Sequence, residues 1–574
     1  MNTKMLIIIE GIIIFLGLYF QRFINFASID IYLYLIMIIL LFKYTKDMKS
    51  NKNVVIFSLI FALFLSIGTL GLVKISLYGI VKIILSFCFY FLIFRRVLLL
   101  IKNKISYLNI QSKNKKISAV KFILVSTLIG FLFFLPYFLK FYPGIITWDS
   151  FWQIMQARGE TRYSDHHPWI HTLTIKLFYE IGYFFTNSRY GGVAFYTLFQ
   201  MILVAFAFSY SIFILYKNNV KKWILVALWL FVFLLPFNAY YSITIWKDVV
   251  FSCIVLIFAM FLWDKYHNKY DWTLFNKIVF VGLSTLICLF RTNGLFSYML
   301  FLLVLFIVYR KEFFKLKYCL LIVISIVFVV KIPIMSIFNI AKVDFIESLS
   351  ISSQQIAYVI KQDGKISDSD YKELEKMMDV DDIRSQKHNE FHYHISDPVK
   401  CNMRKFNYSN HYLDNNKLSY FKIWVKIGFS NPGKYVKAYV LQTSGYWYYG
   451  YGEYRTYGNI LTDKMPPPQN LKLDMYVTDH APKFISKAID CFMGFNNNMS
   501  FIIWPLAMNL YAILIALFIA IERRRNILPY IMFLGIVITL LIATPVSCEL
   551  RYVYSLFISF PVLLIGTFCN EKER

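Results

Sequence analysis

Long stretches without a charged residue recur along this chain, among them 54 to 73, 122 to 139, 190 to 216, 223 to 246, 491 to 521, 526 to 548 and 552 to 570. A helix that crosses a bilayer needs about 20 such residues. These stretches are apolar on every face and do not alternate, which excludes an outer-membrane barrel and predicts helices. Spans are expected at roughly 5 to 20, 26 to 42, 54 to 72, 76 to 94, 120 to 139, 194 to 216, 223 to 241, 249 to 263, 278 to 290, 294 to 309, 318 to 337, 501 to 521, 527 to 545 and 553 to 569. The expected fold is therefore an all-α polytopic membrane protein of about fourteen transmembrane helices.

Composition agrees: 58% of the 574 residues are hydrophobic and 16% are charged, which excludes a soluble protein. The net charge of +27 raises the question of nucleic acid, and its distribution answers it. With the N-terminus in the cytoplasm, the short segments on the inner side carry 28 of the 60 Lys and Arg against seven acids. That is the positive-inside bias, so both termini are expected in the cytoplasm and no nucleic-acid partner is needed. Glu10 interrupts the first apolar stretch, and no small-x-small cleavage site follows it, so it is expected to stay as an anchor. Eight cysteines include no C-x-x-C pair and hence no metal-ribbon or redox motif; Cys401 and Cys491 share one predicted external segment, and spacing alone does not pair them.

Four regions follow: 1–117, an N-terminal four-helix membrane region; 118–337, a membrane core with an external loop at 140–193; 338–500, a mostly helical external domain; and 501–574, the C-terminal membrane helices. Two connectors this long are usually functional. In the first, Pro143-Gly144 ends the preceding span, and Phe151, Trp152, Met155 and Ala157 fit a short helix lying along the interface. In the second, Asn431-Pro432 reads as a helix start, and Leu418, Phe421, Trp424 and Val425 mark one face of the helix before it. Tyr446 to Tyr457 holds seven aromatics in twelve residues, with Gly450 and Gly452 among them. Such a stretch serves either as an interfacial belt or as a lid whose faces stack on sugar rings, and Trp447 and Tyr451 are the candidate acceptor-binding residues.

Charges beside lipid are costly, so those gathered at span ends are functional candidates. Five places qualify: Asp149; the Asp165-His166-His167 cluster; Lys247-Asp248; Arg291; and Glu549-Leu-Arg551. All lie at the outer ends of different predicted spans or in the loops they enter. Three cations, Lys247, Arg291 and Arg551, suit a phosphate leaving group, while a carboxylate such as Asp149 or Asp165 takes a proton from an attacking hydroxyl; His166 is a further catalytic candidate or, with His167, a metal ligand. Plainer roles exist for each: Asp149 as a helix cap, the arginines snorkelling to headgroups, Lys247-Asp248 as a surface pair, His166-His167 in structural hydrogen bonds. Asp368-Ser-Asp370 and Asp379-Val-Asp381 match Asp-x-Asp by letter but read as capped, solvated helix starts.

The order Tyr142-Pro-Gly-Ile-Ile-Thr-Trp-Asp149-Ser, Asp165-His-His-Pro168, Trp246-Lys-Asp248, Arg291-Thr-Asn-Gly294 and Glu549-Leu-Arg-Tyr552 resembles the GT-C class of integral-membrane glycosyltransferases, over roughly 120 to 570. Within that class it is most similar to poorly characterised Gram-positive bacterial members. The resemblance implies a sugar donor carried on a polyprenyl phosphate and an acceptor outside the cell, such as a cell-envelope glycan or polymer. It places Asp149 as the loop carboxylate, and Arg291 and Arg551 near the donor phosphate, in a bacterial plasma-membrane enzyme. The loop lacks Asp-x-Asp and Glu-x-Asp, so a divalent metal is left without a motif; the cofactor is unknown. A lipid-linked glycan polymerase or ligase shares this outer-face chemistry. A polysaccharide flippase or exporter is expected to carry its ionisable residues near mid-span instead.

Overall fold

The structure is a computed structural model, and it describes residues 10–11, 13, 30–71, 77–105, 108–385, 391–449, 475–503 and 506–570. These residues are helical almost throughout, with isolated bridges and no strands. Six helices are long and apolar enough to cross a bilayer: Leu77–Ile105, Ala119–Lys140, Arg189–Lys217, Lys247–His267, Arg310–Ile337 and Leu550–Phe568. A seventh candidate is the pair Lys222–Leu234 and Pro236–Ile243, bent by 53° where Pro236 cannot continue the hydrogen-bond ladder. The expected count of about fourteen is not supported. Five other apolar runs form helices of only 16 or 17 residues, such as Leu274–Phe290 and Thr292–Val308, shorter than the about 20 residues of a typical bilayer crossing. The span expected at 5 to 20 lies largely outside the described residues.

Hydrogen bonds tie together the segments rich in Lys and Arg. Asn51 Nδ2 donates to Glu522 at 2.9 Å, Gln111 Nε2 to the Asn218 carbonyl at 2.9 Å, and Lys217 Nζ to Asp264 at 2.8 Å. At the other end, bridges join Tyr142 to Thr478, Ile145 to Thr244, Ser164 to Ala341 and Ile395 to Val546. One continuous core runs from Val54 to Cys569 through the long helices. Ile346 to Leu441 build a separate core, from helices such as Ser350–Lys361, Asp397–Asn410 and Lys417–Ser430.

Two details of that second region differ from expectation. Asn431 does precede Pro432 at a helix start, but its side chain holds Lys365, accepting from N at 2.9 Å and donating to O at 2.8 Å, and does not cap the helix. In the helix Lys417–Ser430, Leu418, Phe421 and Val425 are exposed, and the core is supplied by Tyr420, Ile423 and Ile427. Of the apolar stripe read from the sequence, Trp424 turns inward, donating its Nε1 to Gln355 Oε1 at 2.8 Å, and the rest is the outward face.

Candidate active site

The chain leaves helix Ala119–Lys140 and turns at Gly144, whose φ of 135° is open to glycine and where a Cβ would strike Thr197. It then runs parallel to residues 243–245: Ile145 N donates to Ile243 O at 2.8 Å, and Ile245 N to Ile145 O at 3.1 Å. Thr147 caps the helix Trp148–Ala157 in a reciprocal box with Ser150. The two strips are stitched again by Ser150 Oγ donating to Ile245 O at 2.7 Å and Trp246 Nε1 donating to Thr147 Oγ1 at 2.8 Å. Because Thr147 is the cap, the Asp149 carboxylate is not needed for that purpose. It stands in the first turn and shares a cavity with Lys247, the first residue of the helix Lys247–His267.

Asp149 Oδ2 accepts from Arg551 Nη1 at 2.7 Å, and Arg551 Nε lies 2.6 Å from Glu549. The rings of Trp246 and Tyr552 flank the guanidinium at 5.2 and 4.9 Å. Arg291, in the break between two short apolar helices, pairs with buried Asp248 at 2.9 Å. Lys247 Nζ is 2.7 Å from His167 Nδ1. An ammonium donating there puts the proton of neutral His167 on Nε2.

Asp149, His167, Lys247, Arg291, Arg551 and Tyr552 line a cavity of about 920 Å³. Its opposite wall comes from the second core region: Lys400 bonds to Glu347 at 2.7 Å and to Asp397 at 2.8 Å, and Arg404 pairs with Glu347 and Asp344. Burial raises the pKa of Asp149, but the Arg551 guanidinium and the Lys247 ammonium hold it well below the usual carboxylate range. Burial and Lys247 push both His166 and His167 below the ordinary imidazole value, His167 the further.

Of the expected site residues, Asp149, His166, Lys247, Arg291 and Arg551 meet in this cavity. Asp165 does not. It is buried and gripped by Lys331 Nζ at 2.7 and 3.0 Å, with the Trp169 amide donating to it, so the neighbour of two cavity histidines serves as an ion-pair anchor. Trp447 does not reach the cavity either. It is buried, its Nε1 donates to Thr443 Oγ1 at 3.2 Å, and its ring meets Phe64. Tyr451 lies outside the described residues. The sequence reading did not single out His167 as a partner of Lys247, nor Glu347, Lys400 and Arg404. The one signal for the last two was the spacing of Asp397, Lys400 and Arg404 on a single helical face. Among the described residues no three His, Cys, Asp or Glu are grouped to hold a metal ion, and Cys401 and Cys491 are free.

The family of unknown function DUF6020 matches residues 154–574, most of the chain. The protein belongs to the DUF6020 family. No curated protein and no solved structure matches it. The region shared with DUF6020 contains His166, Lys247, Arg291, Arg404 and Arg551 and begins five residues after Asp149.

Proposed function

We propose that this DUF6020 member is a GT-C-like membrane glycosyltransferase that moves a sugar from a polyprenyl-phosphate-linked donor to an extracytoplasmic acceptor such as a cell-envelope glycan or polymer. The observation that carries the reading is the 2.7 Å pairing of Asp149 with Arg551 in a cavity that also holds Lys247 and Arg291. A sugar phosphate needs cations for its leaving group and a base for the incoming hydroxyl, and the two are adjacent here. The acceptor oxygen forms the new bond to the anomeric carbon as the carbon–oxygen bond to phosphate breaks. Phosphate leaves with the electron pair, and the hydroxyl proton passes to the carboxylate.

Arg551 links the two halves of that reaction. A guanidinium offers two parallel N–H groups to a phosphate, which competes with the carboxylate for them. As donor phosphate takes Nη1, Asp149 loses the contact that depresses its pKa and becomes a better base. The bilayer setting is supported by the apolar helices. An outward-facing cavity, with both termini in the cytoplasm of a bacterium, is supported by the clustering of Lys and Arg at the opposite end.

The test is release of free polyprenyl phosphate from a panel of polyprenyl-phosphate sugars, using purified protein in nanodiscs with and without envelope glycan. Acceptor-dependent release, lost in Asp149→Asn, supports the transferase. Movement of intact donor across a vesicle bilayer with no transfer would replace it with a flippase.

A further inference from the structure

The helix that begins with Lys247 in the cavity ends at His267, and Lys265 near that end lines a second cavity of about 540 Å³. Eighteen residues of helix at 1.5 Å each put Lys265 about 27 Å from Lys247 along the axis, so the two cavities sit at opposite ends of the bundle. Lys265 is 3% exposed, yet its Nζ has no hydrogen-bond partner among the described residues; the face of Trp272 covers it at 4.6 Å. The neighbouring Tyr266 hydroxyl is buried and also without a partner. The nearby Glu312 carboxylate is already engaged, accepting from Trp272 Nε1 at 2.9 Å and from Lys315 at 2.7 Å. Lys277 lines the same cavity and forms no ion pair among the described residues. A buried cation without a hydrogen-bonded partner is unfavourable, and because the four lysines lining this space, Lys265, Lys269, Lys277 and Lys315, outnumber the carboxylates of Asp271 and Glu312, an anion entering it relieves that cost.

The rim indicates the anion's chemistry. Leu274, Phe275 and Ile278, on the first turns of the helix that also carries the cavity-lining Lys277, are 76%, 72% and 61% exposed. Apolar residues bordering a lysine-lined recess at the end of a membrane helix suit a molecule with acyl chains and an anionic head, and basic pockets between such helices bind phosphate headgroups. We infer that this cavity binds a phosphate group, carried by an anionic lipid whose chains lie along Leu274, Phe275 and Ile278. Phosphate oxygens accept from Lys265, Lys277 and the Tyr266 hydroxyl. The inference does not depend on the catalytic reading of the other cavity.

The test is native mass spectrometry of the full chain in detergent, titrated with phosphatidylglycerol, with phosphatidylcholine and with inorganic phosphate. The expected result is one retained phosphatidylglycerol, bound in preference to phosphatidylcholine and weakened about fivefold by each of Lys265→Met and Lys277→Gln, as one headgroup contact per lysine implies. Lys277→Gln lies near the surface and keeps the test open if Lys265→Met fails to fold. Displacement of the lipid by millimolar inorganic phosphate assigns the site to a free phosphate and overturns the lipid. Equal retention of the two lipids, or parental retention by Lys277→Gln, overturns the site.

Discussion

Arg551 donates to Asp149 at 2.7 Å across 402 residues of chain, joining the start of the last long helix to the first turn of the helix at 148–157. Each residue is also held in place by neighbours other than its partner. Arg551 is held by Glu549 and sandwiched by Trp246 and Tyr552, and Asp149 is fixed by the Thr147–Ser150 box and the seam to residues 243–245. A preorganised cation and carboxylate in a water-accessible recess are what transfer from a phosphate requires.

The guanidinium geometry leads to the first prediction. Lysine keeps the charge but cannot form two parallel bonds, so Arg551→Lys and Arg291→Lys should raise the donor KM by roughly tenfold or more while leaving membrane abundance unchanged. Donor saturation curves measure this. Parent-like curves for both variants would leave the arginines as structural ion-pair partners only.

Asp149→Asn removes the base while keeping size and the Thr147 cap, and should lower turnover by about 10² to 10⁴. The same variant carries a pH signature. The folded pKa of Asp149 is depressed, so the carboxylate stabilises the protein above its unfolded pKa of about 3.9, and that contribution fades as pH falls below it. The melting temperature of the parent should exceed that of Asp149→Asn by a constant margin from pH 8 to 5, and the margin should shrink below pH 4. A margin that grows on acidification contradicts the pairing.

What the sequence made legible was the set of charges that interrupt apolar runs. Asp149, Lys247, Arg291 and Arg551 stand out because lipid tolerates few charges, and their convergence in one cavity follows from span ends sharing a surface. Glu347, Lys400 and Arg404 come from a region where charges are common, so nothing in composition separates them from solvated neighbours. Asp165, His166 and His167 are consecutive, yet a turn sends the carboxylate to Lys331 and the imidazoles to the cavity; adjacency in sequence carries no such direction. Helix type was readable from the apolar runs. Their lengths were not, because Pro236 and Arg291 end helices inside or between stretches that hydropathy alone reads as whole spans.

Asp165→Asn therefore belongs with stability. It leaves Lys331 partly buried without its counter-charge, and loss of one partner of a buried pair costs about 3 kcal/mol or more. Lower yield and a lower melting temperature are expected, with turnover per folded molecule near that of the parent. Combining it with Lys331→Met should recover part of the loss, since no unpaired charge remains. A turnover defect that survives correction for folded protein returns Asp165 to the chemistry.

Trp447→Ala should behave in the same class. The ring packs against Phe64, Gly445 on the same strip has no room for a Cβ against Cys548, and Tyr446 donates from its hydroxyl to the Val546 carbonyl at 2.6 Å. Emptying a buried tryptophan site costs about 3 to 5 kcal/mol, and the damage here falls on the loop that carries Glu549 and Arg551. Thermal melts should show the loss directly. An acceptor titration that shifts while stability is unchanged would instead bring Trp447 into acceptor binding.

The side of the membrane on which the cavity opens decides the donor. Sugars carried on polyprenyl phosphate serve transfer outside the cytoplasm, whereas a cavity open to the cytoplasm has nucleotide sugars at hand. Asp363 is exposed on the region that forms the upper wall of the cavity, and Lys116 is exposed on the segment tied to Asn218 and Asn219 at the Lys-rich end. With exposed Cys401 and Cys491 replaced by serine, Asp363→Cys should react with a membrane-impermeant maleimide in intact cells, and Lys116→Cys only after permeabilisation. Charge asymmetry between the two ends is the physical reason, since the basic end is retained inside during insertion. The reverse labelling pattern would turn the cavity toward the cytoplasm and exclude the polyprenyl-phosphate donor, while leaving the Asp149–Arg551 pair available to a nucleoside diphosphate leaving group.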